Sequence, residues 1–184
     1  MLFSSFIFLF LFLPLVVPFS LVRNIRIQNF ILLLASLIFY AWGGVIYTLI
    51  MIISILMNYT AGLLIARFGK YAKSFLVAAI TLNIGMLCVF KYMNFIVASI
   101  NGIAAGDVIK QTHIALPIGI SFFTFHGLSY VIDIYRKKFP PQKDLSILAL
   151  YITLFPQLIA GPIIRYKEIY SQFYDRSSSA AKFS

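Results

Sequence analysis

Charge is what this sequence has least of. Only 11% of its 184 residues are charged, 15 basic and 5 acidic, while 61% are hydrophobic and the mean hydropathy is +0.96. A soluble domain cannot hide that much apolar surface, so the composition points to a polytopic membrane protein of the all-α class. The same figures exclude a disordered chain. Cysteine is almost absent: Cys88 stands alone in an apolar run, and no intrachain disulfide can form. The only histidines, His113 and His126, are far apart with no cysteine near them, which excludes a metal site by spacing. No Gly-rich phosphate loop occurs. The formal net charge of +10 is not a nucleic-acid footprint, because the basic residues sit in short connections between apolar runs.

A bilayer core needs about 20 apolar residues per helix. Leu2 to Val22 supplies the first span. No basic residue precedes its apolar core and no small-x-small cleavage site follows, so it reads as a helix bent near Pro14 and Pro18, not as a signal peptide. Arg23 and Arg26 close it. The uncharged run from Ile27 to Ala66 is too long for one span and breaks at Trp42-Gly43-Gly44. This gives a short helix ending near Ala41 and a full one from Val45 to Ala66, with Tyr40 and Trp42 as interfacial anchors. Ser74 to Phe90 and Ile114 to Tyr135 are the next spans, separated by the loop "ASINGIAAGDVIKQTH". With the N-terminus outside, the Arg23/Arg26, Arg67/Lys70/Lys73 and Arg136/Lys137/Lys138/Lys143 clusters all fall in the cytoplasm. The outer side receives only Lys91 and Lys110, partly balanced by Asp107.

The stretch "LFPQLIAGPIIRY", Leu154 to Tyr166, does not suit a plain span. A full crossing from Leu145 to Ile164 would put Arg165, Lys167, Arg176 and Lys182 outside. Breaks at Pro156 and at Gly161-Pro162 let it enter from the cytoplasm and turn back instead. Such backbone is tolerated at membrane depth only when buried in protein or lining a wet cavity. The sequence therefore predicts about five spanning helices plus a re-entrant or broken helix.

Polar residues inside such a protein are costly and face a bundle interior or an aqueous path. On the helix through "LPIGISFFTFHGLSYVIDIYR", His126, Ser129, Asp133 and Arg136 fall at i, i+3, i+7 and i+10, on one face. Either they line a path for a substrate or a proton, or His126 and Ser129 bond neighbouring helices while Asp133 pairs with Arg136 or Lys137. A Ser–His–Asp triad is excluded, because one helical face does not aim three side chains in relay. Gln157 and Arg165 join the path candidates from the broken stretch. Asn58 and Asn83, each beside small residues, predict close helix packing with a hydrogen bond across it. The abundant Phe and Tyr read as lipid-facing bulk and interfacial belts.

"MLFSSFIFLFLFLP", "LLLASLIFYAWGG", "FKYMNF", "LPIGISFFTFHGLSYVIDIYR" and "LFPQLIAGPIIRYKEI" occur in this order. Together they resemble the N-terminal part of the membrane-bound O-acyltransferase family, of the bacterial type that acetylates alginate. The last two motifs are specific, and the likeness covers nearly the whole chain. It implies an incomplete ring of helices around a passage: residues 1–176 as the N-terminal transmembrane part and 177–184 as a truncated polar tail. It further implies a multi-pass bacterial inner-membrane protein that passes acetyl groups from a cytoplasmic donor, acetyl-CoA or an acyl carrier, to exopolysaccharide hydroxyls. The partners implied are membrane lipid, the missing C-terminal half, extracytoplasmic acetyltransferases and the polysaccharide acceptor; no cofactor is held and no nucleic acid is bound. The family's catalytic histidine lies in a later segment, so neither His113 nor His126 receives that role and the chain is expected to be inactive alone. The alternative is a non-enzymatic scaffold or assembly subunit of a polysaccharide-modification complex.

Overall fold

The computed structural model describes residues 5–20, 22, 24–104, 109–110, 115–159 and 164–174, and among these every regular element is helical. A π-helical turn, Phe8–Phe12, leads into α1 (Leu13–Ser20). The turn precedes Pro14, whose ring cannot donate and would crowd a regular α-helical carbonyl; the Leu13 N–H reaches back to the Phe8 carbonyl instead. Next come α2 (Ile25–Ala41), capped by the Asn24 side chain, and α3 (Val45–Arg67). They meet at the Trp42-Gly43-Gly44 break, where Gly44 takes a φ of +138°. A 3-10 turn, Gly69–Tyr71, joins α3 to α4 (Ala72–Ile103). The chain continues through α5 (Ile120–Tyr135), α6 (Leu145–Thr153), α7 (Phe155–Ile159) and α8 (Tyr166–Ile169), and ends in a 3-10 turn, Tyr170–Phe173. Two helical stretches, Val45–Arg67 and Gly69–Ile103, are long and apolar enough to cross a membrane.

Two boundaries and one burial differ from the sequence expectation. α4 does not stop at Phe90 but runs to Ile103, because no proline interrupts that stretch and a lone glycine only weakens a helix. Its 32 residues make a rod about 48 Å long. α5 starts at Ile120, not Ile114, because Pro117 lies ahead of it and Gly119 adopts a left-handed φ of +76°. Tyr40 is not an interfacial anchor but is buried against the Phe123 ring, whereas Trp42 is exposed as an anchor requires.

The core forms where α3, α4 and α5 meet. Asn58 Nδ2 donates to Asn83 Oδ1 at 3.2 Å and Asn83 Nδ2 donates to Asn58 Oδ1 at 3.0 Å, so two fully buried amides satisfy each other across α3 and α4. Their remaining donor capacity goes to the Ser54 and Ala79 carbonyls of their own helices. α5 enters against this pair at Gly127, where a Cβ would collide with the Asn58 amide. One turn along α3, Gly62 opens the space that Tyr130 and Ile134 fill. Small residues thus let three backbones approach, and the amides hold the register.

α5 ends in a Schellman closure: the Lys137 N–H donates to the Ile134 carbonyl and the Lys138 N–H to the Asp133 carbonyl. Its left-handed residue is Lys137, with φ +54°, where glycine would be unstrained. The turn carries Lys138 Nζ to 3.4 Å from Asp133 Oδ1. The partner of Asp133 is therefore Lys138, not Arg136 or Lys137, because the chain reverses within two residues of the helix end.

Gly127→Ala should destabilise the bundle by about 1–3 kcal/mol, the usual cost of overpacking, because the Asn58 amide it strikes is locked by its own bonds. Gly85→Ala, on α4 with no atom within 4 Å of its Cβ position, should be neutral or stabilise by up to about 1 kcal/mol. Unfolding midpoints of the two variants in lipid nanodiscs decide it; equal midpoints would refute the junction.

Candidate functional site

The broken segment after α5 is built from backbone groups that its neighbours satisfy. α6 begins at the Asp144 cap and has 9 residues, about 14 Å and so half a hydrocarbon core. Pro156 cannot donate to a carbonyl four residues back, and the helix gives way at Leu154, which adopts ψ 110°. The released Phe155 N–H finds the Ser36 hydroxyl of α2 at 3.3 Å. The Phe155 ring is seated among Phe8, Phe12 and Phe39, with centroids 5.4 to 6.1 Å away. α7 then packs on the start of α5, where a Cβ on Gly119 would come within 2.8 Å of the Leu158 carbonyl oxygen.

Beyond α7 the chain comes back to where α6 began. The Tyr151 hydroxyl donates to the Ile164 carbonyl at 3.0 Å, and Gln142 Nε2 donates to the Tyr166 hydroxyl at 2.7 Å and to Tyr174 at 3.0 Å. Gln142 also donates its backbone N–H to the Tyr130 hydroxyl, and its Oε1 accepts from the Asp144 N–H. One buried amide thus ties α5, the approach to α6 and the returning strand of chain. Tyr166 is fully buried, with the rings of Tyr130, Phe139, Tyr151 and Tyr170 at 4.9 to 5.6 Å. The aromatics are therefore not only lipid-facing bulk: Tyr130, Tyr151 and Tyr166 form the core, because each phenol tip has a polar partner at depth.

The structure brings three of the path candidates together. His126, Ser129 and Asp133 all lie on α5, which packs on α6, and the His126 ring lies 5.1 Å from the Tyr151 ring of α6. Arg136 is exposed at the end of this face. Gln157 is buried on α7, while Pro156 and Arg165 are exposed. Gly161, Pro162 and His113 lie outside the described residues, as do Arg23, Asp107, Arg176, Lys182 and the 177–184 tail.

Sequence reasoning missed a further pattern. Several buried polar atoms have no hydrogen-bond partner among the described residues: both His126 ring nitrogens, Thr124 Oγ1, Gln157 Oε1, Tyr40 Oη and Asp133 Oδ2. The Ile152 backbone lies near the His126 ring without forming a well-aligned bond. Tyr40, Thr124, His126 and Gln157 come from α2, α5 and α7; α7 packs on both α2 and α5, and α2 meets α5 through the Tyr40–Phe123 ring contact. Each such group costs free energy unless something polar meets it, so the arrangement suits a polar passenger or water. Among the described residues no group of three potential metal ligands exists.

The basic connections at the other end of the bundle are also gathered. Tyr59 donates to the Lys143 carbonyl at 2.7 Å, Asn29 donates to the Phe173 carbonyl at 2.8 Å, and Arg26 shares a pocket with Asp144 and Tyr174. Hence Arg26, the α3–α4 connection, the 136–143 loop and the α8 region lie at one basic end.

Gln142→Leu should loosen the returning segment, since it strips a partner from the buried Tyr166 phenol, at about 1 kcal/mol, and from the exposed Tyr174 phenol. Amide hydrogen exchange over 164–174 is expected to accelerate while α3 is unchanged; unaltered exchange would mean that ring packing alone holds the segment.

The relatives give this geometry a context. No family model matches the chain, and no solved structure does. Among curated proteins, the probable alginate O-acetylase AlgI of Pseudomonas putida is 40% identical over 190 residues, covering 100% of this chain and 39% of its own length. The protein of the same name from Pseudomonas aeruginosa is 40% identical over 189 residues, covering 100% of this chain and 36% of its own. A peptidoglycan O-acetyltransferase of Helicobacter pylori is 30% identical over 209 residues, covering 97% of this chain and 40% of its own. The chain thus spans less than half the length of the curated relatives it matches, as an N-terminal part would. Matched over its whole length, the chain resembles the N-terminal part of the membrane-bound O-acyltransferase family, of the alginate O-acetylase type.

Proposed function

We propose that the chain is the N-terminal part of an O-acyltransferase that passes acetyl groups from a cytoplasmic donor, acetyl-CoA or an acyl carrier, across the inner membrane to hydroxyls of an exopolysaccharide such as alginate. The observation that carries this reading is the full-length likeness to relatives named for acetylating two different glycans, alginate and peptidoglycan. What those two acceptors share is a sugar hydroxyl, and acetyl transfer to it needs an activated acyl donor and a general base. In this reading the chain crosses the bilayer about five times with its N-terminus outside. The basic end faces the cytoplasm, and the α6–α7 segment is re-entrant and lines the passage. The unpartnered nitrogens of His126 and the Gln157 oxygen meet the passing group or its water. No residue of the chain takes the role of general base, which a separate C-terminal segment supplies, so the chain alone does not turn over. Extracytoplasmic acetyltransferases complete the relay.

Complementation tests this in a strain lacking its own alginate O-acetylation membrane protein. Polymer-bound acetate should return when the chain is expressed with a separately encoded C-terminal half of a relative, and not when it is expressed alone. A membrane-inserted pair that restores no acetate would instead favour a scaffold. Within the active pair, His126→Leu loses no hydrogen bond seen among the described residues, so it should leave the amount of folded protein unchanged while cutting acetate about five-fold, the loss of one hydrogen bond to the passing group. Undiminished acetate would assign His126 to packing alone.

A further inference from the structure

A groove of about 940 Å³ opens at the basic end, between the α3–α4 turn and the loop that follows α5. Its wall is largely apolar, with Ile65, Ala72, Ile134 and Phe139, and its rim carries Lys137 and Lys138. Lys138 is committed to Asp133, whereas Lys137 makes no ion pair among the described residues. The turn opposite lines the groove with Ala66, Gly69 and Ala72, and carries Arg67, Lys70 and Lys73 beside it with no acid between them. Lys137 also occupies the left-handed position of the Schellman closure, where glycine serves the backbone better. A lysine held there against its backbone preference acts through its side chain.

We propose that this groove holds the phosphate of an anionic phospholipid, with Lys137 pairing the headgroup and the apolar wall taking the upper part of a tail. A phosphate on an apolar body is the chemistry the lining fits. The lipid is the source chosen because the groove lies where α3 and α5 end beside two basic connections, and basic pockets of this kind between spanning helices hold anionic headgroups. A soluble phosphate compound would need no apolar wall. This inference requires membrane residence but not acetyl transfer.

Native mass spectrometry of the full chain, released from nanodiscs of equal phosphatidylglycerol and phosphatidylcholine, tests it. The wild type should retain phosphatidylglycerol preferentially. Lys137→Gly should reduce that retention about five-fold, the effect of one lysine at an anionic surface, with an unfolding midpoint equal to or above wild type because glycine relaxes the left-handed turn. Lys143→Gln, in the same connection but outside the groove lining, should change retention little. Three results would overturn the proposal: wild-type retention in Lys137→Gly, an equal loss in Lys143→Gln, or displacement of the lipid by inorganic phosphate or acetyl-CoA.

Discussion

Two carboxamides that can find full satisfaction only in each other set the spacing on which this bundle depends. Asn58 and Asn83 each spend one amide hydrogen on their own helix and the other on the partner, so α3 and α4 are held in one register. That register leaves a slot narrow enough that α5 fits only through Gly127, and Gly62 then receives Tyr130. In an apolar surrounding, attraction between helices comes from close packing and interhelical hydrogen bonds and not from expulsion of water. The amide pair and the two glycines supply both. Everything α5 carries inherits its position from this contact, including the His126–Asp133 face and the Lys137–Lys138 rim.

The broken segment shows the complementary problem. Interrupting a helix at Leu154 frees backbone groups that cannot be left bare at depth. Each freed group for which a partner is seen is met from elsewhere in the chain: Phe155 by Ser36, Ile164 by Tyr151. Gln142 adds a polar tie between the two ends of the segment, and four phenylalanines form a socket that keeps the break where it is. The side-chain atoms without a partner among the described residues, on Tyr40, Thr124, His126, Asp133 and Gln157, lie on α2, α5 and α7.

Part of the fold was legible from residue type alone. The helix ends at Ala41 and Val45 follow from Gly43-Gly44, the α3–α4 hydrogen bond follows from two amides in apolar runs, and the break near Pro156 follows from a missing N–H. The length of α4 was not legible, because "FKYMNF" and the Asn-Gly pair after it resemble a loop, yet neither prevents helix when nothing else claims the backbone. Nor was the burial of Tyr130, Tyr151 and Tyr166: a phenol suits an interfacial belt as well as a core with a hydrogen-bond partner, and that partner, Gln142, is 24 residues away from Tyr166.

The sequence by itself determined that the chain is helical and apolar, that most of its positive charge sits in or beside the connections, and which family it resembles. These follow from composition and local pattern, which act over a few residues. Only the tertiary structure decided which polar groups meet. It paired Asp133 with Lys138, faced His126 toward Tyr151, gave the freed Phe155 N–H to Ser36 and gathered the basic connections at one end. Those choices depend on three backbones approaching through two glycines and on a chain reversal after α5, and both are properties of contact between segments remote in sequence.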